Sequence, residues 1–207
     1  MSSATIVVVP MKDPAASKTR LNAALGSERR ASLARLLFKR TLSLLGDLQQ
    51  SHGFALAVVT ESAEIAELAK GSAAAVIKDP SGGLNPALTS AGDYAAAAQF
   101  ERLCILPADL AAPDPSDLER VIGFAPVEKA AVICPAADGG TNALLVAPPN
   151  ALPFQFGPGS AKRHAEAAEA HGLTPVMMPL ESLAFDIDTA EDLARAVRIV
   201  PELRPLP

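Results

Sequence analysis

The chain has 207 residues, 49% of them hydrophobic, with no Trp, a single Tyr and a formal charge of −5. That length suits one domain, 1–207, able to bury about 70% of its unfolded surface in one core without disulfides or metals to staple it. The acidic balance excludes a general nucleic-acid binder, whose affinity rests on Lys and Arg neutralising phosphates, but leaves an anionic small molecule open. No stretch reaches the roughly 20 apolar residues of a membrane span, and the N-terminus runs straight into "ATIVVVP", which reads as strand rather than signal peptide. Cys104 and Cys134 sit inside apolar runs and read as buried free thiols of a reducing cytoplasm.

In chain order, short β-branched runs alternate with amphipathic ones. Strands are expected at 5–9 ("TIVVV"), 55–59 ("ALAVV"), 74–77 ("AAVI"), 102–106 ("RLCIL"), 130–134 ("AAVIC") and 142–147 ("NALLVA"). Near-continuous apolar runs of this length fit strands buried on both faces of a mostly parallel sheet. Helices are expected at 27–48, 62–71, 85–100 and 114–124. Strand and helix in alternation predict an α/β sandwich with helices on both faces of the sheet. After 135 the pattern changes. "DGGTNALLV" reads as a turn feeding an antiparallel strand, 148–160 as a Pro/Gly loop, 160–172 as a helix and "TPVMMPL" as a short strand or edge. The tail from about 200 to 207 is expected to be mobile.

Open α/β sheets bind ligands beyond the carboxyl ends of their strands. The loop after the first strand concentrates Lys12, Lys18 and Arg20 within nine residues of an acidic protein. Such cations suit phosphate oxygens, although a solvated surface loop would look the same. Neither GxGxxG nor GxxxxGK[ST] occurs, so neither a dinucleotide fingerprint nor a P-loop is supported.

Asp109 in "CILPADL" lies just past a strand, where Pro107 stops the ladder. It could face the crevice, or cap the helix near Ser116. Asp186 and Asp188 in "LAFDIDTAEDL" alternate around Ile187, so in extended chain they share a face while Ile187 turns to the core. Asp188 also lies near an N-cap position, and Thr189 with Asp192 resembles a capping box. Capping explains one of these aspartates, and three carboxylates in one crevice call for a cation; Mg²⁺ takes one or two carboxylates together with phosphate oxygens and water. The amides and Thr141 hydroxyl of "GGTNAL" suit a carboxylate or phosphate. "FGPGSAKRH" puts Gly157, Gly159 and Ser160 at a helix N-terminus, either as an anion site or as a turn with Ser160 as N-cap. His164 could face that anion, though a surface position is preferred. His52 and His171 have no assigned role.

Six phrases, "VVVPMK…SKTRL", "GGLNPAL", "LPADL", "GGTNALL", "FGPGS…H" and "FDIDTAEDL", occur in this order over residues 5 to 193. Together they resemble the guanylyltransferases of coenzyme F420 biosynthesis that act on 2-phospho-L-lactate, phosphoenolpyruvate or 3-phosphoglycerate. The resemblance implies a Rossmann-like nucleotidyltransferase fold of the nucleotide-diphospho-sugar transferase type. It implies transfer of GMP from GTP to a small phospho-acid, with release of pyrophosphate. Asp109, Asp186 and Asp188 would hold Mg²⁺. Lys12, Lys18, Arg20, Gly83, Leu84 and Asn85 would bind the nucleotide, with Lys18, Arg20 and Asp109 catalytic. Thr141, Gly157 and Ser160 would bind the phospho-acid. The product would pass to the next enzyme of the pathway; a homodimer is left open. Thr19, Pro86 and Ala161 depart from the family, which more often has Ser, a small or polar residue, and Phe at these places. Two other readings stand beside this one. A nucleotidyltransferase for a sugar phosphate or molybdopterin would usually carry "LAAGxSxRxG", where this chain has "VVPMKDPAASKTRL". A non-catalytic nucleotide-binding module is the other.

Overall fold

The computed structural model describes residues 4–203. Seven strands form one sheet: β1 (Thr5–Pro10), β2 (Ala55–Thr60), β3 (Ala75–Lys78), β4 (Arg102–Ile105), β5 (Ala130–Pro135), β6 (Thr141–Ala147) and β7 (Thr174–Met177). Their order across the sheet is β3-β2-β1-β4-β6-β5-β7. All pairings are parallel except those of β6, which runs antiparallel to β4 and β5. The turn at "DGGT" allows this: a short connection from β5 to β6 cannot cross over the sheet.

The helices are α1 (Ser27–His52), α2 (Ala63–Gly71), α3 (Leu84–Ala97), α4 (Pro115–Ile122), α5 (Ser160–Ala170) and α6 (Ala190–Ile199). α1 outruns its expected end at 48 because no breaker intervenes before Gly53, which closes it in the left-handed region at φ 63°. Its stripe of Phe38, Leu42, Leu45 and Leu48 packs with α2 and α4 on one face of the sheet, against Val7, Val9, Leu56 and Val58. α3 and α5 cover the other face through Leu88, Ala91, Ala95, Ala161 and Ala168, against Ile6, Val8, Ile105 and Leu144. A third cluster joins Leu33 and Leu37 of α1 to Ile187, Ala196, Val200 and Leu203. Small residues on α3 and α5 let both helices lie close to the sheet.

Both cysteines are free and buried in the first cluster. Burial raises both thiols, Cys134 to about 12. Within the tail expected to be mobile, Pro201–Leu203 form a 3-10 turn with Leu203 buried, and 204–207 lie outside the described residues. Among the described residues no helix is long and apolar enough to cross a membrane.

Candidate active site

A cleft of about 470 Å³ opens at the carboxyl ends of β1 to β4. Lys12, Lys18, Arg20, Gly83, Leu84, Asp109 and Asp188 line it, together with Glu61, Asp79 and Ser81. Two glycines with positive φ, Gly82 (107°) and Gly83 (105°), turn the chain into α3. Gly83 is the N-cap residue and gives no side-chain cap, so the first amides of α3 stay available beside the cleft. Pro86 falls within that first turn, where a missing N–H costs nothing.

The aspartates resolve as a cluster. Ligand oxygens of Asp109, Asp186 and Asp188 all lie within 4.8 Å of one another. The segment carrying the last two runs beside the end of β4: Leu110 bridges Asp186, the Ile187 amide donates to the Asp109 carbonyl (3.1 Å), and the Ala111 amide donates to the Phe185 carbonyl (3.0 Å). Ile187 is fully buried, which turns its neighbours away from the core, and Asp188 lines the cleft. The capping duties fall to other residues. Asp114 caps α4, accepting from the Ser116 amide at 2.8 Å. Thr189 is the N-cap of α6, in a reciprocal capping box with Asp192. Asp109 and Asp188 are thereby left for the cleft.

Lys18 stands in the middle of these charges. Its Nζ lies 2.6 Å from Asp109 Oδ2 and 3.1 Å from Asp188 Oδ1, and Arg20 Nη1 lies 3.0 Å from Asp188 Oδ2. Lys18 takes a left-handed backbone (φ 55°) unusual for a side-chain-bearing residue, and only 7% of its side chain is exposed. Burial alone would lower its pKa; the Asp109 and Asp188 charges more than offset this and raise it. Asp186 is held above the usual carboxylate range by burial first. The nearby Asp109 and Asp188 charges add to this, against a hydrogen bond from Asn142 and the charge of Lys18. Three carboxylates with one buried ammonium still favour a further cation. Hard carboxylate oxygens this close together suit a divalent metal such as Mg²⁺.

The residues expected to hold a phospho-acid form a second group on the α5 side. Thr141 and Ser160 are buried, their hydroxyl oxygens 2.9 Å apart. A bulge makes this possible. Cys134 pairs with Ala143 and Pro135 with Thr141, so Asn142 is skipped. Without it Thr141 would share the face of Ala143 and Leu145, toward α1 and α4. The irregularity re-aims Thr141 toward α5. It also sends the Asn142 amide to the Leu183 carbonyl (2.9 Å) and Asp186 Oδ1 (3.1 Å). Asn142 thus ties the two groups together. Nothing within "GGTNALL" signals this role, because the orientation of Asn142 depends on the bulge.

Gly157 (φ 128°) and Gly159 (φ 68°) need their glycines for the turn into α5. Gly159, rather than Ser160, is the N-cap residue. The Ser160 and Ala161 amides donate to the Gly157 and Gly139 carbonyls (3.0 and 3.2 Å), so two of the first amides of α5 are already bonded. Thr141, Gly157 and Ser160 are not part of the cleft lining.

His164 is placed otherwise than expected, and the Asn85 side chain is already engaged. His164, preferred on the surface, is fully buried, because the α5 face it shares with Ser160, Ala161 and Ala168 packs on the sheet. Asn85, grouped with the nucleotide residues, turns its side chain to the acid-side loop. Its Oδ1 accepts from the Phe156 amide (2.8 Å) and its Nδ2 donates to the Phe156 carbonyl (3.2 Å). The Gln155 amide donates to His164 Nε2, and Arg163 donates to the Gln155 carbonyl. Side chains therefore engage all four backbone polar groups of Gln155 and Phe156.

The sequence model of a family described as guanylyl transferase, CofC like, matches residues 5–198. A 3-phospho-D-glycerate guanylyltransferase from Colwellia psychrerythraea is 39% identical over 189 residues, covering 91% of this chain and 89% of its own. A phosphoenolpyruvate guanylyltransferase from Rubrobacter xylanophilus is 37% identical over 189 residues, 91% of each chain. Among solved structures, a Desulfovibrio desulfuricans G20 protein described as a nucleotide-diphospho-sugar transferase superposes with a TM-score of 0.75. It has 19% identity and covers 95% of this chain and 87% of its own, a likeness of fold. With the family match spanning nearly the whole chain and every phrase of the site inside it, this chain belongs to the CofC-like guanylyltransferase family.

Proposed function

We propose that this protein transfers GMP from GTP to a small phosphorylated acid and releases pyrophosphate, as a step of coenzyme F420 biosynthesis in the cytoplasm. The observation that carries the reading is the meeting of Asp109, Asp186 and Asp188 around Lys18 at one end of a cleft large enough for a nucleotide. GTP would lie in the cleft, with Gly83, Leu84 and the open start of α3 on one side. Lys12, Lys18 and Arg20 would take its phosphates, as point charges and, for Arg20, as a planar fork. The acid would dock at Thr141, Gly157 and Ser160, on the far side of the carboxylates.

The reaction needs positioning and charge neutralisation more than covalent help. A phosphate oxygen of the acid attacks the α-phosphorus of GTP in line, and the bond to the departing pyrophosphate breaks. The attacking phosphate is already anionic at neutral pH, so no general base is required. This agrees with the absence of an unpartnered Ser–His or Cys–His pair in the cleft lining. Asp109, Asp186 and Asp188 would hold the metal, and Mg²⁺, when bound, supplies the positive charge that offsets repulsion between the two anions. Lys18 and Arg20 orient the phosphates and add to that charge.

Purified protein with GTP, Mg²⁺ and, in turn, 2-phospholactate, phosphoenolpyruvate and 3-phosphoglycerate is expected to release pyrophosphate with at least one acid. It should not do so without Mg²⁺. Coupling to the next pathway enzyme guards against an unstable product. Folded protein that turns over none of the three acids refutes the proposal.

A further inference from the structure

The mechanism leaves the buried imidazole of α5 without a task. His164 lies one turn inside α5 with no exposed surface, and its two ring nitrogens have different partners. The Gln155 amide donates to Nε2 at 3.0 Å, and a backbone N–H has only a proton to offer. Nε2 therefore carries a lone pair. Burial, with a smaller contribution from Arg163, lowers the ring's pKa to about 4, so the ring is neutral near pH 7. A neutral ring with a bare Nε2 carries its proton on Nδ1. Nδ1 is 3.0 Å from Thr141 Oγ1, so His164 donates and Thr141 accepts. The Phe156 ring meets His164 edge to face at 4.8 Å, and Asn85 holds Phe156 on both sides. The amide that selects the tautomer is thus itself fixed.

Counting protons gives the polarity of the hydroxyl pair. His164 Nδ1, Thr141 and Ser160 bring three protons, and two bonds within the group use two of them. One hydroxyl proton is left for an outside acceptor. In the opposite tautomer Thr141 would donate to Nδ1 and Ser160 to Thr141. Both hydroxyl protons would then be consumed, and the pair would offer only lone pairs. An anionic oxygen is attracted by the first arrangement and repelled by the second.

We propose that His164 is a positioning residue for the phospho-acid: held in its Nδ1–H form by the Gln155 amide, it makes the Thr141–Ser160 hydroxyl pair present a proton to an anionic oxygen of that substrate. The inference rests on the assignment of the acid to Thr141 and Ser160 made above. His164 does not touch the substrate; it acts through Thr141.

Long-range proton–nitrogen correlation on the whole protein carrying ¹⁵N-histidine reads the tautomer directly. At neutral pH His164 is expected as Nδ1–H, the minority form of a free neutral imidazole side chain. An Nε2–H or doubly protonated ring overturns the proposal. In kinetics, His164→Leu is expected to raise the KM for the acid about tenfold, the worth of one well-oriented hydrogen bond to an anion, while the KM for GTP moves less than about twofold. His164→Asn, whose amide nitrogen can stand in for the Nδ1 donor, is expected to recover most of that loss. A parallel rise in both KM values, or Asn no better than Leu, reduces His164 to a packing residue and overturns the proposal. Thr141→Val separates the premise from the inference. An unchanged acid KM in that variant means the acid does not use the pair, and overturns the site assignment whatever tautomer His164 shows.

Discussion

Asp109→Asn changes one carboxylate oxygen to an amide at nearly constant shape, at the most crowded point of the cleft. Asp109 is the nearer partner of Lys18, at 2.6 Å, with Asp188 behind it at 3.1 Å. Removing every partner of a buried ammonium would cost about 3–5 kcal/mol. Here Asp188 remains and the Asn carbonyl oxygen still accepts, so the expected loss is about 1–2 kcal/mol. For a chain of this size that lowers the melting temperature by roughly 2–8 °C. The effect on turnover is far larger. One of three metal-holding carboxylates is lost, and Lys18 loses the anchor that fixes its Nζ. A group that stabilises charge only in the transition state is worth about 10²–10³ in kcat. Pyrophosphate release at saturating GTP and acid, alongside a thermal melt, measures both quantities. GTP binding should survive in reduced form, because Lys12, Arg20 and the start of α3 are untouched. A folded Asp109→Asn protein with kcat within about threefold of the parent would refute the reasoning. It would favour the non-catalytic nucleotide-binding reading instead.

Three further outcomes are expected. Arg20→Ala removes an ion pair whose arginine side chain is 62% exposed. It should leave stability within about 1 kcal/mol by thermal melt, yet lower kcat/KM for GTP at least tenfold. Asn85→Ala leaves the Phe156 amide and carbonyl without their partners. It should cost about 1–3 kcal/mol in urea unfolding and raise the KM for the acid more than that for GTP; the reverse order would return Asn85 to the nucleotide. The His164 ring, with its pKa lowered to about 4 in the folded protein, binds its proton more readily when unfolded. Its contribution to stability is therefore complete above about pH 6.5 and is lost as pH falls toward 4, up to roughly 3 kcal/mol. The urea midpoints of the parent and His164→Asn should converge over that window, and parallel curves would contradict the pKa.

Much of the architecture was legible in the residues, for local reasons. Runs such as "TIVVV" and "AAVIC" are apolar on both faces, which only a strand covered by helices tolerates, and they became β1 and β5. "DGGT" is too short for a crossover, and β6 runs antiparallel as read. The alternation of Asp186 and Asp188 about a buried Ile187 sufficed to predict a shared face, and with Asp109 they converge. Other features depended on competition between neighbours that sequence leaves balanced. Asp109 and Asp188 each had a capping alternative, resolved once Asp114 and Thr189 took those duties. The bulge that re-aims Thr141 and Asn142 is a mismatch in pairing between two strands, with no signature within either one. Burial of His164 follows from the face α5 turns to the sheet, and the role of Asn85 from a loop 71 residues away. Local pattern determines which backbone geometry a segment takes; the partner of each polar side chain depends on which distant atoms the packing brings within 3 Å.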